Sequence, residues 1–254
     1  MDEARTGQPE GAAGEARKVP THELTYLRLR DMVLFGALTP GQPVTIQGLI
    51  RDLDAGMTPV REAIRRLTAE GALVLHDNRR VSVPVMTPDL FGQLVHARLA
   101  IEPKLAELAC PRLTPERIAR LEGIDALIEP AIRAGDVQEY LRQNHAFHFT
   151  LYEVAVASVL EDIARSLWLR FGPSLRAVLG RYIENGLPDR HAEALAAMRQ
   201  GDAAALAEAI RHDLSQGFAQ VREVLAEGED SPLSGMVEDQ ARSCRRTDPA
   251  PAGH

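Results

Sequence analysis

Apolar residues in the first third of the chain recur at the spacing of short helices. One helix is predicted over residues 21–35, and a second starts at Thr45 with apolar residues on one side only. A third starts at Thr58-Pro59, because a capping hydroxyl is followed by a proline that suits the first helical position. Two short β-type runs follow at 72–75 and 81–83, with a polar turn between them. The order of helix, helix, turn, helix and hairpin predicts a winged helix-turn-helix.

Residues 87–227 keep the helical spacing and show no strand-like alternation. Helix starts are marked by residues that can cap a helix, namely Thr87, Thr114, Asp136, Ser158, Asp189 and Asp202. Pro103 is expected to kink or break its helix, and Gly172-Pro173 to interrupt another. The pattern predicts an antiparallel bundle of six or seven helices. The fold class is therefore mainly α, with a winged helix-turn-helix domain at 21–85 and an all-helical domain at 87–227.

The two ends of the chain lack periodicity, and residues 1–20 and 228–254 are predicted to be disordered tails. No apolar run approaches the roughly 18 residues that a membrane-spanning helix needs. The N-terminus lacks the apolar core of a secretory signal. Two distant cysteines provide no disulfide framework, which fits a reducing compartment. The chain is predicted to be cytoplasmic, with no membrane partner.

The third helix carries the clearest functional pattern. Its outer face presents a hydroxyl and arginines near a helix N-terminus, which suit guanine edges and phosphate groups. The chain has a net charge of −7, yet residues 24–85 hold eight arginines and no lysine against six acidic residues, a net of +2. The hairpin turn adds two more cations for phosphate or the minor groove. The residues predicted to bind double-stranded DNA are Thr58, Arg61, Arg65, Arg66, Arg79 and Arg80.

The sequence resembles the GntR family of bacterial regulators in one long run, Thr58-Pro59-Val60-Arg61-Glu62-Ala63-Ile64-Arg65-Arg66-Leu67, with Pro40-Gly41 before it and Glu70-Gly71 after it. Two positions depart from the family's pattern. Gly56-Met57 stands where the family usually has Ser-Arg, and the wing tip reads Asn78-Arg79-Arg80 where it usually has Asn-Arg-Gly. The expected protein is a homodimer on a pseudo-palindromic operator, with two recognition helices in successive segments of the major groove.

Residues 87–226 resemble the FCD effector-binding domain of the FadR/VanR branch of that family. Arg98 and Glu102 match its R-x-x-x-E motif. The resemblance implies that these two residues lie at the effector site and that Arg98 faces the carboxylate of a small effector. Their spacing equally allows Arg98 to be only the ion-pair partner of Glu102.

The same resemblance implies a metal site formed by Asn144, His148, His191 and His212, with a divalent transition ion such as Zn²⁺ as the cofactor. The family usually has an acidic residue where this chain has Asn144, so an effector carboxylate would supply the missing negative charge. An alternative function is a metal-dependent hydrolase that uses the three histidines and an open coordination position. No acidic residue is placed as a general base for it, so the expected function is an effector-controlled transcription regulator and not an enzyme.

Overall fold

The computed structural model describes residues 20–77, 80–182 and 190–226. Both predicted tails lie outside these residues, apart from Pro20. Helices dominate the fold and the sheet is small, so the predicted fold class is confirmed. None of the described helices is long and apolar enough to cross a membrane.

The first domain combines three helices with a small antiparallel sheet. The helices are α1 (Thr21–Leu34), α2 (Ile46–Leu53) and α3 (Met57–Ala69), and the strands are β1 (Pro43–Val44), β2 (Val74–Leu75) and β3 (Val81–Ser82). The strand order is β1-β3-β2, with Val81 opposite both Val44 and Leu75. The β2–β3 hairpin follows the sequence prediction. Strand β1 was not predicted, because two residues beginning with proline carry no alternation pattern.

Capping side chains begin α2 but not α3. The Thr45 hydroxyl accepts a hydrogen bond from the Gly48 N–H at 3.1 Å, as the sequence predicts. Helix α3 begins at Met57 with Gly56 at its N-cap, so the prediction that Thr58 caps this helix is wrong. The chain leaves α2 through Asp54, whose φ of 46° lies in the left-handed region. Because Thr58 is the second residue of the helix and not its N-cap, its hydroxyl makes no capping bond and is exposed in the first turn.

The second domain holds seven helices in its described residues. They are α4 (Pro88–Ala109), α5 (Pro115–Asp125), α6 (Ile128–Arg133), α7 (Val137–Glu153), α8 (Ser158–Tyr182), α9 (Arg190–Gln200) and α10 (Ala203–Ala226). The predicted caps Thr87, Thr114 and Asp136 each accept the backbone N–H three residues later. These caps explain why the predicted starts of α4, α5 and α7 are correct.

Helix α4 continues through Pro103, so of the predicted kink or break the break does not occur. Proline lacks the N–H that would bond to the carbonyl four residues earlier, which here belongs to Leu99. The Arg211 side chain of α10 donates to that carbonyl instead, with Nη1 3.3 Å from the Leu99 oxygen. A partner from another helix therefore replaces the missing bond.

Helix α8 continues through Gly172-Pro173, where an interruption was predicted. Both residues are buried. A Cβ on residue 172 would lie 2.3 Å from the Leu34 carbonyl oxygen of α1, so glycine allows the two backbones to approach closely. Contact between the two domains thus holds this part of α8 in place and outweighs the local sequence preference.

Candidate functional site

The outer face of α3 presents a hydroxyl and two arginines to solvent. Thr58, Arg61 and Arg65 are exposed, and each lies about one turn after the one before it along this face. Arg65 forms an exposed ion pair with Glu62, with 2.6 Å between Nη2 and Oε1, which is a weak interaction in water. Within the described ranges Arg61 has no ion-pair partner. This face of α3 is therefore accessible and carries two arginine side chains.

Arg66 makes contacts with the first helix that the sequence did not predict. Its Nη1 lies 2.9 Å from Glu23 Oε2, its Nε lies 3.3 Å from Glu70 Oε1, and its Cζ lies 3.5 Å from the centre of the Tyr26 ring. Burial and the adjacent Glu70 raise the pKa of Tyr26 to about 12, so its hydroxyl stays protonated and donates to Glu70. Arg66 therefore ties α3 to α1, and its predicted contact with DNA stays a prediction.

Of the two wing arginines, Arg80 lies within the described residues and Arg79 lies outside them. Arg80 is exposed just before β3, and its carbonyl accepts the His76 N–H at 2.8 Å. The His76 ring is also 2.8 Å from the Ser82 hydroxyl, which braces the base of the hairpin. The wing therefore carries at least one arginine to the surface.

Arg98 and Glu102 lie in the centre of the bundle. Their side chains are 2% and 0% exposed, with 2.5 Å between Arg98 Nε and Glu102 Oε1. The guanidinium carbon is 4.2 Å from the centre of the Trp168 ring and 5.0 Å from that of Phe171. Glu102 Oε2 also accepts hydrogen bonds from Trp168 Nε1 at 2.8 Å and from the Tyr152 hydroxyl at 2.9 Å. Both charges are paired and closed off from solvent in this structure, which favours the alternative that Arg98 is the ion-pair partner of Glu102 over a contact with an effector carboxylate.

Three side chains from different helices converge near this ion pair: His148 of α7, His191 of α9 and Asp213 of α10. One ligand atom from each lies within 4.8 Å of the other two. His148 Nε2 is 3.0 Å from Asp213 Oδ2, and His191 Nε2 is 3.9 Å from Asp213 Oδ1. His148 Nε2 is buried and has no aligned hydrogen-bond partner among the described residues. We call these three residues the histidine cluster.

The hydrogen bonds around the histidine cluster assign the protons of both rings. Burial and the charge of Glu102 raise the pKa of Tyr152 well above its usual value, so its hydroxyl donates to Glu102 and accepts from His148 Nδ1, 3.0 Å away. His191 Nδ1 likewise donates to Asp125 Oδ1 at 2.8 Å. In the neutral rings both Nε2 atoms then carry lone pairs. In this neutral form the two Nε2 atoms and the Asp213 carboxylate are a set of ligand atoms that suits a cation, whereas a proton on His148 Nε2 would be donated to Asp213 and lower the pKa of that carboxyl group.

The third histidine of the predicted metal site is not part of this cluster. His212 is 52% exposed, and its Nε2 lies 3.0 Å from Glu208 Oε1. Successive residues of a helix point about 100° apart, and the half-buried neighbour Asp213 takes the inward position. Asn144, one turn before His148, is buried and lines a cavity with Asp213. Of the three predicted histidines the structure therefore brings His148 and His191 together but not His212, and the carboxylate that lies with them is that of Asp213.

Two adjoining cavities, of about 40 and 190 Å³, open beside the histidine cluster. Tyr140, Asn144, Asp213 and Gln216 line both of them. The larger cavity also contacts Arg190, whose guanidinium is 2.6 Å from Glu193 and 3.2 Å from the Gln216 amide oxygen. The space is therefore polar, with a cation at one side and the cluster at another.

Comparisons with known proteins agree with this layout. Residues 21–83 match the family model of bacterial regulatory proteins of the gntR family, and residues 93–216 match that of the FCD domain. The chain belongs to the GntR family. Its first domain is a DNA-binding winged helix-turn-helix and its second is an FCD effector-binding domain, so this GntR protein is a transcription regulator.

Relatives of this GntR regulator include the HTH-type transcriptional regulator McbR of Escherichia coli (strain K12). It is 28% identical over 165 residues, which are 62% of this chain and 75% of that protein. The Nta operon transcriptional regulator of Aminobacter aminovorans is 32% identical over 130 residues, or 50% of this chain and 60% of the relative. The solved structure of E. coli McbR/YncC has the same fold, with a TM-score of 0.74 at 24% identity over 81% of this chain and 99% of that one. None of these comparisons supports the alternative of a metal-dependent hydrolase.

Proposed function

We propose that the protein acts in the cytoplasm as a homodimer on a pseudo-palindromic operator, and that a divalent metal and a small carboxylate effector in the bundle modulate this binding. The observation that carries the proposal is a buried group of cation ligands beside a polar cavity, in the same chain as an exposed arginine face on α3. Two copies of α3 would read two half-sites of the major groove and double the phosphate contacts.

Selection of bound fragments from a random DNA library tests the operator proposal. We expect the selected sequences to share two inverted half-sites, and light scattering to give the mass of a dimer in solution. Affinity should also fall steeply with salt, because each phosphate contact releases counterions. Selected sequences without inverted half-sites, bound by a monomer, would contradict the proposal.

Arg61→Ala is expected to weaken binding to the selected operator by about 1–3 kcal/mol, if the side chain reads a base edge. Arg61 is exposed on α3 and has no ion pair to break within the described ranges, so the fold should be unaffected. Fluorescence anisotropy with labelled operator measures the change. Arg133→Ala removes an exposed arginine of α6 and is the matched control. Equal affinity of both variants would exclude Arg61 from the interface.

The histidine cluster fits a divalent transition ion. Two imidazoles and one carboxylate suit Zn²⁺ or Fe²⁺. Asn144 lines the same cavity as His148 and Asp213, and we propose its amide oxygen as a weak further ligand. Asp125 and Tyr152 accept hydrogen bonds from the Nδ1 atoms of His191 and His148. Histidines that bind a metal usually have such a partner on the other ring nitrogen, which fixes the orientation of the ring. A bound ion would connect α7, α9 and α10 and offer an open position to an anionic effector.

The larger cavity is the proposed site of the effector. Its volume of about 190 Å³ is below the about 300–1,000 Å³ of pockets that hold drug-sized ligands, so we propose a small molecule. Arg190 at one side and a metal at the other would both attract carboxylate groups. The amides of Asn144 and Gln216 can donate or accept further hydrogen bonds.

Arg190→Gln is expected to weaken effector binding about 10- to 100-fold, since hydrogen bonds to charged groups contribute about 1.5–3 kcal/mol. Titration of the Zn²⁺-loaded protein with acetate, lactate, succinate and malate, followed by Trp168 fluorescence, measures the affinity. Arg199→Gln removes another arginine of α9, which pairs with Glu122 at 2.6 Å. If both variants bind the best of these acids as the wild type does, Arg190 does not contact the effector.

A further inference from the structure

Helix α8 contacts both domains. On one side of this helix, Trp168, Phe171 and Leu175 line the smaller cavity together with His148 and Asp213. These three positions are spaced by three and four residues, so they share one face of the helix. The same side holds the guanidinium of Arg98 against its aromatic rings. A change at the histidine cluster therefore reaches α8 through direct contacts.

Another side of the same turn of α8 touches α3, the proposed recognition helix. Arg170 Nε donates to the Glu70 carbonyl oxygen at 2.9 Å, and Glu70 is the C-cap residue of α3. That carbonyl is one of the groups that a helix leaves without a partner at its C-terminal end. The Arg170 guanidinium also covers Gly71, whose φ is +74° and where a Cβ would lie 2.9 Å from the guanidinium carbon. Arg170 thus caps the C-terminal end of α3 from the other domain.

Two residues later, Gly172 brings the backbone of α8 onto α1. The hydrogen-only side chain leaves room for the Leu34 carbonyl oxygen, which would be 2.3 Å from a Cβ at this position. Nearby, the His145 ring lies between the domains, 5.6 Å from the Phe35 ring and 5.5 Å from the Trp168 ring. Close packing of this kind transmits small displacements, because it leaves no space to absorb them.

We propose that Gly172 and Arg170 are positioning residues for the recognition helix, through which occupancy of the histidine cluster changes operator affinity. The proposal rests on the metal and operator binding proposed above. Binding of an ion to the cluster would shift Trp168 and Phe171, which line the same cavity. Arg170 and Gly172 lie in the same part of α8, so this shift would move the ends of α3 and α1 that they contact. Coupling of this kind is reciprocal, so operator binding must change Zn²⁺ affinity by the same factor.

Gly172→Ala tests the contact with α1. Alanine favours a helix, so α8 should remain intact, but the added methyl group must move α1 away from it. The measured quantity is the ratio of operator affinities with and without saturating Zn²⁺, using the fragment selected by the wild type. We expect a ratio of about tenfold in either direction for the wild type and within about twofold of one for Gly172→Ala. Zn²⁺ affinity, measured by calorimetry without DNA, should stay unchanged.

Gly92→Ala is the matched control, since it also places alanine in a helix and meets no atom within 4 Å. It should keep the wild-type ratio.

Arg170→Ala should bring the ratio of operator affinities towards one, as Gly172→Ala does. Arg170→Lys should restore part of the wild-type ratio, because an ammonium group can still donate to the Glu70 carbonyl. A merely structural role for Arg170 would lower stability without changing the ratio.

If Gly172→Ala and Arg170→Ala both keep the ratio of operator affinities that the wild type shows, the proposal is overturned. If the wild type itself shows a ratio of one although calorimetry detects Zn²⁺ binding, the proposal is also overturned, while the metal site would stand. Absence of Zn²⁺ binding to the wild type would overturn the proposed metal site and this inference with it. Circular dichroism of each variant verifies that the helices are retained.

Discussion

Arg98→Ala is expected to lower the free energy of unfolding by about 3–5 kcal/mol, because it leaves a buried carboxylate without its cation. Glu102 is 0% exposed and would keep only the hydrogen bonds from Tyr152 and Trp168. The lost guanidinium also leaves a gap between the Trp168 and Phe171 rings. Trp168 is the single tryptophan of the chain, so its fluorescence during urea unfolding reports on this part of the core.

Arg133→Ala is the control for this prediction. It removes an exposed arginine that pairs with Glu129 at 3.8 Å, and the expected loss is below about 1 kcal/mol. The double variant Arg98→Met with Glu102→Gln removes both charges and keeps an acceptor for Tyr152 and Trp168. It should therefore recover much of the stability that Arg98→Ala loses. A loss below about 1 kcal/mol for Arg98→Ala would show that the pair contributes little to the fold.

Local signals in the sequence were sufficient for most of the fold. A cap acts within four residues of a helix start, so Thr45, Thr87, Thr114 and Asp136 could be recognised without any tertiary information. The apolar stripes of the short helices likewise predicted the winged helix-turn-helix. Pro103 was misread because its outcome depends on Arg211, which lies more than a hundred residues away and donates to the carbonyl that the proline leaves free.

The histidine cluster shows where a linear motif stops being informative. Two of the predicted histidines, His148 and His191, lie in the cluster. The third, His212, is exposed, and the next residue, Asp213, lies in the cluster. The buried residues Leu206, Ala209, Ile210 and Leu214 define the inner stripe of α10, and position 213 falls on that stripe whereas position 212 falls opposite it. Helical periodicity could therefore have corrected the assignment. His212 was implied by the family resemblance alone, which does not specify the inward face of α10.

Arg98 and Glu102 illustrate a different limit. Their spacing of four residues is the same for an exposed pair, a ligand clamp and a buried ion pair. Only their long-range partners distinguish these cases, and Tyr152 and Trp168 lie 50 and 66 residues from Glu102. Such contacts are set by the packing of α7 and α8 on α4, which no local pattern encodes. The same holds for Asp125, which supports His191 from α5.

Saturating Zn²⁺ is expected to raise the free energy of unfolding of the wild type by about 3–4 kcal/mol. This is the stabilisation expected when the free Zn²⁺ concentration is about 100–1,000 times the dissociation constant. The ion would neutralise the half-buried carboxylate of Asp213 and bind the lone pairs of two imidazole rings. His148→Ala and Asp213→Asn should each abolish the effect. Urea unfolding with Zn²⁺ and with a chelator, followed by Trp168 fluorescence, measures the difference.

His212→Ala is the variant that decides between the two ligand sets, because it changes the neighbour of Asp213 without touching the cluster. Its side chain is exposed beside Glu208, so the Zn²⁺ effect should remain as in the wild type. Asp125→Asn should weaken Zn²⁺ binding about 10- to 100-fold, since it loosens the partner that orients His191. Asn144→Asp should strengthen binding by adding a second charged oxygen. Loss of the Zn²⁺ effect in His212→Ala with retention in Asp213→Asn would reverse the assignment, and equal behaviour of all variants would leave the cluster a purely structural part of the bundle.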